Sequence, residues 1–229
     1  MSRPLVIAID GPSGAGKSTL GRMLARALNL LYIDTGAMYR AVALAIIESG
    51  VSTTDAGAVA RVAELADITL EGDPDSLRIT LDGRDVSEAI RTEEVSQTAS
   101  VISTIPEVRR TLVKRQREMG TQGGVVLEGR DIGTVVFPDA DLKFFLVASP
   151  EERAQRRYEE DRLKERDTTF EQTLADINLR DHRDTTRADS PLTAAADAVV
   201  IDSTNLSISE VFERITAAIR ERQKDGKSV

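Results

Sequence analysis

Cysteine is absent from the 229 residues, and histidine occurs once, as His182. The first absence excludes disulfides and thiolate metal sites, and the second excludes a multi-histidine metal site. Tryptophan is absent too, and five phenylalanines and three tyrosines make up the whole aromatic content. That is little stacking surface for a protein that grips single strands. A net charge of −8 argues further against a broad nucleic-acid surface. No apolar run is long enough to span a bilayer. The first strand-like run starts at Leu5 and a phosphate loop follows directly, so no signal peptide is expected. These absences predict a cytoplasmic protein without nucleic-acid or membrane partners.

What is present is ordinary in bulk and specific in detail. Apolar residues make up 41% and charged residues 30%, the balance of one sizeable globular domain with room for an insertion. The run Gly11, Pro12, Ser13, Gly14, Ala15, Gly16, Lys17, Ser18 fits G-x-x-x-x-G-K-[ST] at every fixed position. Before it, Leu5 to Ile9 reads as a buried strand. After it, Leu20, Met23, Leu24, Ala27 and Leu28 recur at helical spacing. Strand, glycine loop and helix form the context in which such a loop turns its amides around phosphate oxygens, at a helix end that favours anions. Lys17 then reaches the β/γ-phosphates, and the Ser18 hydroxyl can ligate Mg²⁺. The Asn-Lys-x-Asp pattern that reads guanine is missing, which disfavours a GTP switch.

Strand and helix patterns alternate from the start: strand 5–9, helix 17–28, strand Leu31 to Ile33, helix 37–48. That order predicts a parallel sheet covered by helices on both faces. The pattern then changes. Asp67–Glu71 and Leu77–Asp82 alternate apolar with polar residues around the turn 72–76, which predicts a hairpin with one wet face. A third short strand is expected near 84–86, and helical stretches around 88–102. Residues 63–103 therefore read as a small antiparallel insertion. Pro106 opens a helix to about Met119. Strands follow at 124–128, 142–147 and 198–201, with capping boxes at Ser149–Glu152 and Ser207–Glu210. The last residues, 224–229, look frayed.

Three polar clusters fall where parallel sheets place chemistry, at strand C-termini. Thr35 and Arg40, in the run Asp34-Thr35-Gly36-Ala37-Met38-Tyr39-Arg40, can hold a second anion; the same run also reads as a capped helix start with an exposed arginine. Gly129-Arg130-Asp131-Ile132-Gly133-Thr134 brackets an arginine and an aspartate with glycines, for a ligand or for a turn ion pair. Arg180, Asp184 and Arg187 share one helical face, as a sugar-phosphate site or as a surface ladder. Arginines are dense from 153 to 187, and a fork of donors suits phosphate oxygens.

The ordered set of clusters, with Ile9-Asp10 ahead of the glycine loop and the run to Val135-Val136-Phe137-Pro138, resembles the bacterial cytidylate kinases, a family of P-loop nucleoside monophosphate kinases, along essentially the whole chain. The resemblance implies a three-layer α/β P-loop fold with a central parallel sheet, a small antiparallel insertion domain and a helical lid. It divides the chain into a core of 1–62 and 104–229, with the lid at about 150–187, and a monophosphate-binding insertion of 63–103. It implies phosphoryl transfer from ATP, with Mg²⁺, to CMP or dCMP, by a monomer acting on small molecules. Gly11 to Ser18 and Thr19 would hold ATP, with Ser18 on the metal. Lys17 and the lid arginines Arg153 and Arg157 would serve catalysis, Arg156 lying beside them. Thr35, Arg40, Ser100, Arg109, Arg130, Asp131 and Arg187 would line the monophosphate pocket, and Arg180 and Asp184 would bind the sugar. Glu128 departs from the aspartate of some members and is given no role.

Overall fold

The computed structural model describes residues 4–224. In chain order the strands are β1 (Val6–Asp10), β2 (Leu31–Asp34), β3 (Ile68–Glu71), β4 (Arg78–Leu81), β5 (Arg84–Asp85), β6 (Val125–Gly129), β7 (Leu142–Val147) and β8 (Val199–Asp202). The helices are α1 (Lys17–Leu28), α2 (Thr35–Ser49), α3 (Ala56–Leu65), α4 (Glu93–Ile102), α5 (Pro106–Gly120), α6 (Pro150–Leu163), α7 (Phe170–Thr186) and α8 (Ile208–Lys224). A 3₁₀ turn at Ala89–Arg91 and one π turn at Ile132–Val136 complete the set. The expected fraying lies, beyond Lys224, outside the described residues.

The main sheet has the order β2-β6-β1-β7-β8, and every pair is parallel. Both faces are covered, which explains why its strands are continuous apolar runs rather than alternating ones. Successive residues of β1 still part to opposite faces. Ile7 and Ile9 join Leu20, Leu24, Phe144, Val211 and Ile215 under α1 and α8. Val6 and Ala8 join Ile33, Val113, Leu127 and Val136 under α5 and the π turn. Chain order reverses at β1, with β6 on one side and β7 on the other. The strand C-termini therefore open a crevice there, the place where such sheets bind ligands.

The insertion is antiparallel as its alternation predicts. Ile68 faces Leu81, Leu70 faces Ile79, and β5 returns through an Asp82-Gly83 turn. Both turn residues have positive φ, 51° and 76°, as a two-residue hairpin turn requires. The expected wet face is partly covered: Thr80 is buried and its hydroxyl lies 2.6 Å from that of Thr69. The hairpin, α2, α3, α4 and α5 share one apolar cluster. The apolar pattern gave no hint of α3, because two of its three buried residues, Val59, Ala60 and Ala63, are alanines. No helix among the described residues is long and apolar enough to cross a membrane.

Candidate functional site

The β1–α1 loop sits at the crevice. Gly11 has φ 145°, and a Cβ there would lie 2.1 Å from the Leu146 carbonyl oxygen; only glycine lets the loop root against β7 this closely. The α1 N-terminus, at Gly16, has no side-chain cap and no acidic residue in its first turn. Its amides are left for an external anion. By contrast, Asp34 caps α2 by accepting from the Ala37 amide at 2.9 Å.

Lys17 is 5% exposed, and its amine donates to the Pro12 carbonyl at 2.6 Å. Burial, then Arg130, push its pKa down to about 7; Arg180 adds to this, while Glu128 and Asp10 oppose it. Beneath it Glu128 is buried, accepting from the Tyr32 hydroxyl. Burial and then Asp34 raise the Glu128 carboxyl, and Lys17, Ser18 and Tyr32 restrain the rise. Glu128, which sequence left without a role, thus stands next to the Ser18 hydroxyl.

Across the cleft, β6, α5 and α7 bring a second set of arginines together. Arg130 Nε donates to Asp184 Oδ2 at 2.8 Å. Arg109 pairs with Asp131. Arg187 lies 4.0 Å from Asp131 and 3.7 Å from Asp184. Arg180 Nη1 reaches the Ser13 hydroxyl at 3.3 Å, joining this group to the phosphate loop. Burial, then Arg130, push Arg180 down to about 10. Burial also lowers Arg187, with Arg109 next. Against the cost of its own burial, Asp184 is held low by Arg130 and Arg180. Against burial, Asp184 by contrast holds Arg130 up; for the desolvated Arg180 and Arg187, crowded by other cations, a bound phosphate would supply further anionic charge.

These residues line one cleft of about 1330 Å³, more than the ~300–1,000 Å³ of a typical one-ligand pocket. Ser13 to Thr19 line one end. Thr35, Arg40, Ser100, Arg109, Arg130, Asp131, Arg180, Asp184 and Arg187 line the rest. Thr35 donates its hydroxyl to the Glu128 carbonyl at 2.6 Å. Arg40 pairs with Asp34 at 2.9 Å, and Asp34 also caps α2, as the capped-helix reading of that run expects. The turn ion pair considered within Arg130-Asp131 does not form: Arg130 turns to Asp184 and Asp131 to Arg109.

Arg157 lines the cleft mouth. Its Nε donates to Asp161 at 3.1 Å, and an Nη lies 3.7 Å from Glu93 of the insertion. Arg166 bonds Asp161 at 2.7 Å and the Arg91 carbonyl at 2.8 Å. The lid therefore meets the insertion across the opening. Arg153 corrects its expectation. It is 3% exposed and lies off the cleft wall, bonding the Ala148 and Ser13 carbonyls and forking onto Asp181. It stands in the first turns of α6, packed against Ser13 and Gly14, and it braces the middle of the phosphate loop. Gly11 and Pro12 likewise support the loop from behind rather than line the cleft.

Sequence reasoning gave no site role to several residues that the structure places at the cleft or next to it. Tyr39 lines the cleft, and burial pushes its hydroxyl up to about 12. Arg183 Nη1 lies 3.5 Å from the Ser100 hydroxyl; its i+3 spacing from Arg180 was the available signal. Asp10 is buried beside the π turn; the sequence marks it only within the run Ile9-Asp10, with no role.

Residues 7–221 match the family described as cytidylate kinase. A cytidylate kinase of Solibacter usitatus is 53% identical over 225 residues, covering 97% of this chain and 95% of the relative. One from Caldanaerobacter subterraneus subsp. tengcongensis is 51% identical over 218 residues, covering 95% and 96%. Among solved structures, a gluconokinase from Sinorhizobium meliloti is similar in fold, with TM-score 0.52, 13% identity and coverage of 98% and 97%. A shikimate kinase from Bacteroides thetaiotaomicron is similar likewise, with TM-score 0.50, 14% identity and coverage of 94% and 98%.

Proposed function

The chain belongs to the cytidylate kinase family, and from this we infer that it transfers the γ-phosphoryl group of ATP to CMP or dCMP, releasing ADP and CDP or dCDP. One observation carries the division of labour within the cleft. Arg109 Nε, Arg180 Nε and Arg187 Nη2 are buried without a hydrogen-bond partner, and all three arginines line the same cavity. Buried donors are satisfied in nearly every native protein, so these three await a ligand rich in acceptors. A nucleoside monophosphate is such a ligand.

ATP belongs at the α1 N-terminus, its phosphates on the amides of Ser13 to Thr19 and on Lys17. The oxygens of Ser18 and Glu128 suit Mg²⁺, a hard cation that keeps several waters and phosphate oxygens. When bound, the cation offsets charge on the β- and γ-phosphates. The acceptor phosphate falls to Arg40, Arg130 and Arg187, the sugar to Arg180 and Asp184, and the base to Ser100, Arg109 and Asp131. The acceptor phosphate is already an anion, so no general base is needed; in-line placement and surrounding cations do the work. Arg157 stands at the mouth, where lid closure would exclude the water that wastes ATP. Residues 63–103 form the wall that carries Ser100, against a core of 1–62 and 104–229. Both substrate ends lie in one chain, so a monomer suffices. A coupled ADP-release assay with CMP, dCMP, UMP, dTMP and AMP tests the assignment; it fails if the cytosine nucleotides are not the preferred acceptors.

Base choice gives a sharper test. Cytosine presents an amine donor where uracil presents an oxygen, and a carboxylate accepts from the first and repels the second. Asp131 is a buried carboxylate held by Arg109 and Arg187. Asp131→Asn is expected to narrow the CMP-to-UMP ratio of kcat/KM about tenfold or more, since one such contact is worth ~1–3 kcal/mol. A parallel fall for both nucleotides would show instead that Asp131 only orients its arginines.

A further inference from the structure

Asp10 ends β1 and directly precedes Gly11. It is 4% exposed, and both carboxylate oxygens are taken up by a loop far away in sequence. Oδ1 accepts from the Ile132 amide at 2.8 Å and Oδ2 from the Gly133 amide at 2.7 Å, across 122 and 123 residues of chain. These amides follow Asp131 and open the π turn. Its own leading residue, Asp131, supplies no side-chain cap, so the cap comes from another strand. The fit is close: a Cβ on Gly133 would lie 3.1 Å from Lys143 Cδ and 3.4 Å from Asp10 Oδ2. Burial is the main cost to this carboxylate and lifts its pKa to about 6, against the pull of the two amides and Lys17.

The main chain of Asp10 is equally committed. It pairs in register with Gly129 of β6 and Phe145 of β7. One residue thus roots the donor loop through its backbone and grips the acceptor loop through its side chain. We propose that Asp10 is a positioning residue: its carboxylate locks the loop 129–133 to the root of the phosphate loop, so that Arg130 and Asp131 keep one fixed geometry relative to ATP.

This rests on the reading of Asp131 as the residue that faces the acceptor base, and the experiment keeps the two apart. Asp10→Asn has almost the same shape but retains one acceptor oxygen and turns an NH₂ group against an amide N–H. Hydrogen exchange at the Ile132 and Gly133 amides is expected to quicken by about tenfold or more. The KM for CMP is expected to rise about tenfold, on the scale of one lost charge-assisted bond. The KM for ATP should change less than about twofold, and the CMP-to-UMP ratio should narrow. A residue that merely supports the fold would lower the melting temperature and shift both substrates together. Unchanged amide exchange, or equal rises in both KM values, would overturn the proposal. Should Asp10→Asn fail to fold, Asp10→Glu, which keeps both oxygens but displaces them, must show the same split. If Asp131→Asn leaves base choice intact, the base reading fails; the amide exchange and KM split of the Asp10 variant still decide the lock.

Discussion

Lys17→Ala is expected to lower kcat by at least ~10²-fold, the scale of losing one preorganised charge aimed at a transition state, while the protein stays folded. The amine is buried, yet its hydrogen bond goes to Pro12, within the same loop, and it faces the cleft rather than an apolar cluster. Removing it costs the Pro12 carbonyl one donor, a loss confined to the loop itself. Turnover measured beside thermal melting checks both halves, and near-normal turnover would remove Lys17 from the chemistry. A second signature comes from its protonation. With its pKa near 7 in the free protein, a fraction of Lys17 is neutral at pH 7–8. A polyphosphate beside it raises that pKa, so binding ATP draws in a proton, and affinity declines as pH rises from 7 toward the pKa of the complex. Calorimetry in two buffers of different ionisation enthalpy should show this uptake, and Lys17→Met should abolish it.

The legible parts of this molecule are those in which the determinants lie close together in sequence. The phosphate loop, its flanking strand and helix, the hairpin and the Ser207–Glu210 capping box follow from spacing within a few residues; at Ser149 only half of the expected box forms, because its amide donates to Thr204 rather than to Glu152. The cleft was legible as a list of residues but not as a set of partners. Arg130 meets Asp184 across 54 positions, and Asp10 meets Ile132 across 122; no local pattern specifies such pairings. Arg153 shows the limit well. It shares a helix with Arg157 and differs by one turn, yet one packs on the middle of the phosphate loop and the other faces the cleft mouth, an outcome set by where α6 docks. The π turn left no trace either, because Ile-Gly-Thr-Val-Val reads equally as strand or loop.

The acceptor arginines are expected to separate the two substrates. Removing Arg40, Arg130 or Arg187 should raise the KM for CMP far more than the KM for ATP. Charge-assisted phosphate bonds are worth roughly 1.5–3 kcal/mol, and every ~1.4 kcal/mol is tenfold in affinity, so each loss amounts to about tenfold to a hundredfold. The structure ranks the three. Arg187 is buried, and its Nη2 has no hydrogen-bond partner although Asp131 lies 4.0 Å away, so this donor is open to ligand and its loss should cost most in binding. Arg130 has Nε engaged by Asp184. Arg130→Ala therefore also leaves a buried carboxylate short of a cation, and a lower melting temperature should accompany its KM effect. Arg40 is the most exposed of the three and pairs with Asp34; screening by water should make its effect the smallest. Measuring both KM values beside the melting temperature for each variant distinguishes these contributions. If ATP and CMP suffered equally, these arginines would belong to the donor end, and the wall opposite the phosphate loop would have to take its acceptor from Arg109 and Arg180 alone.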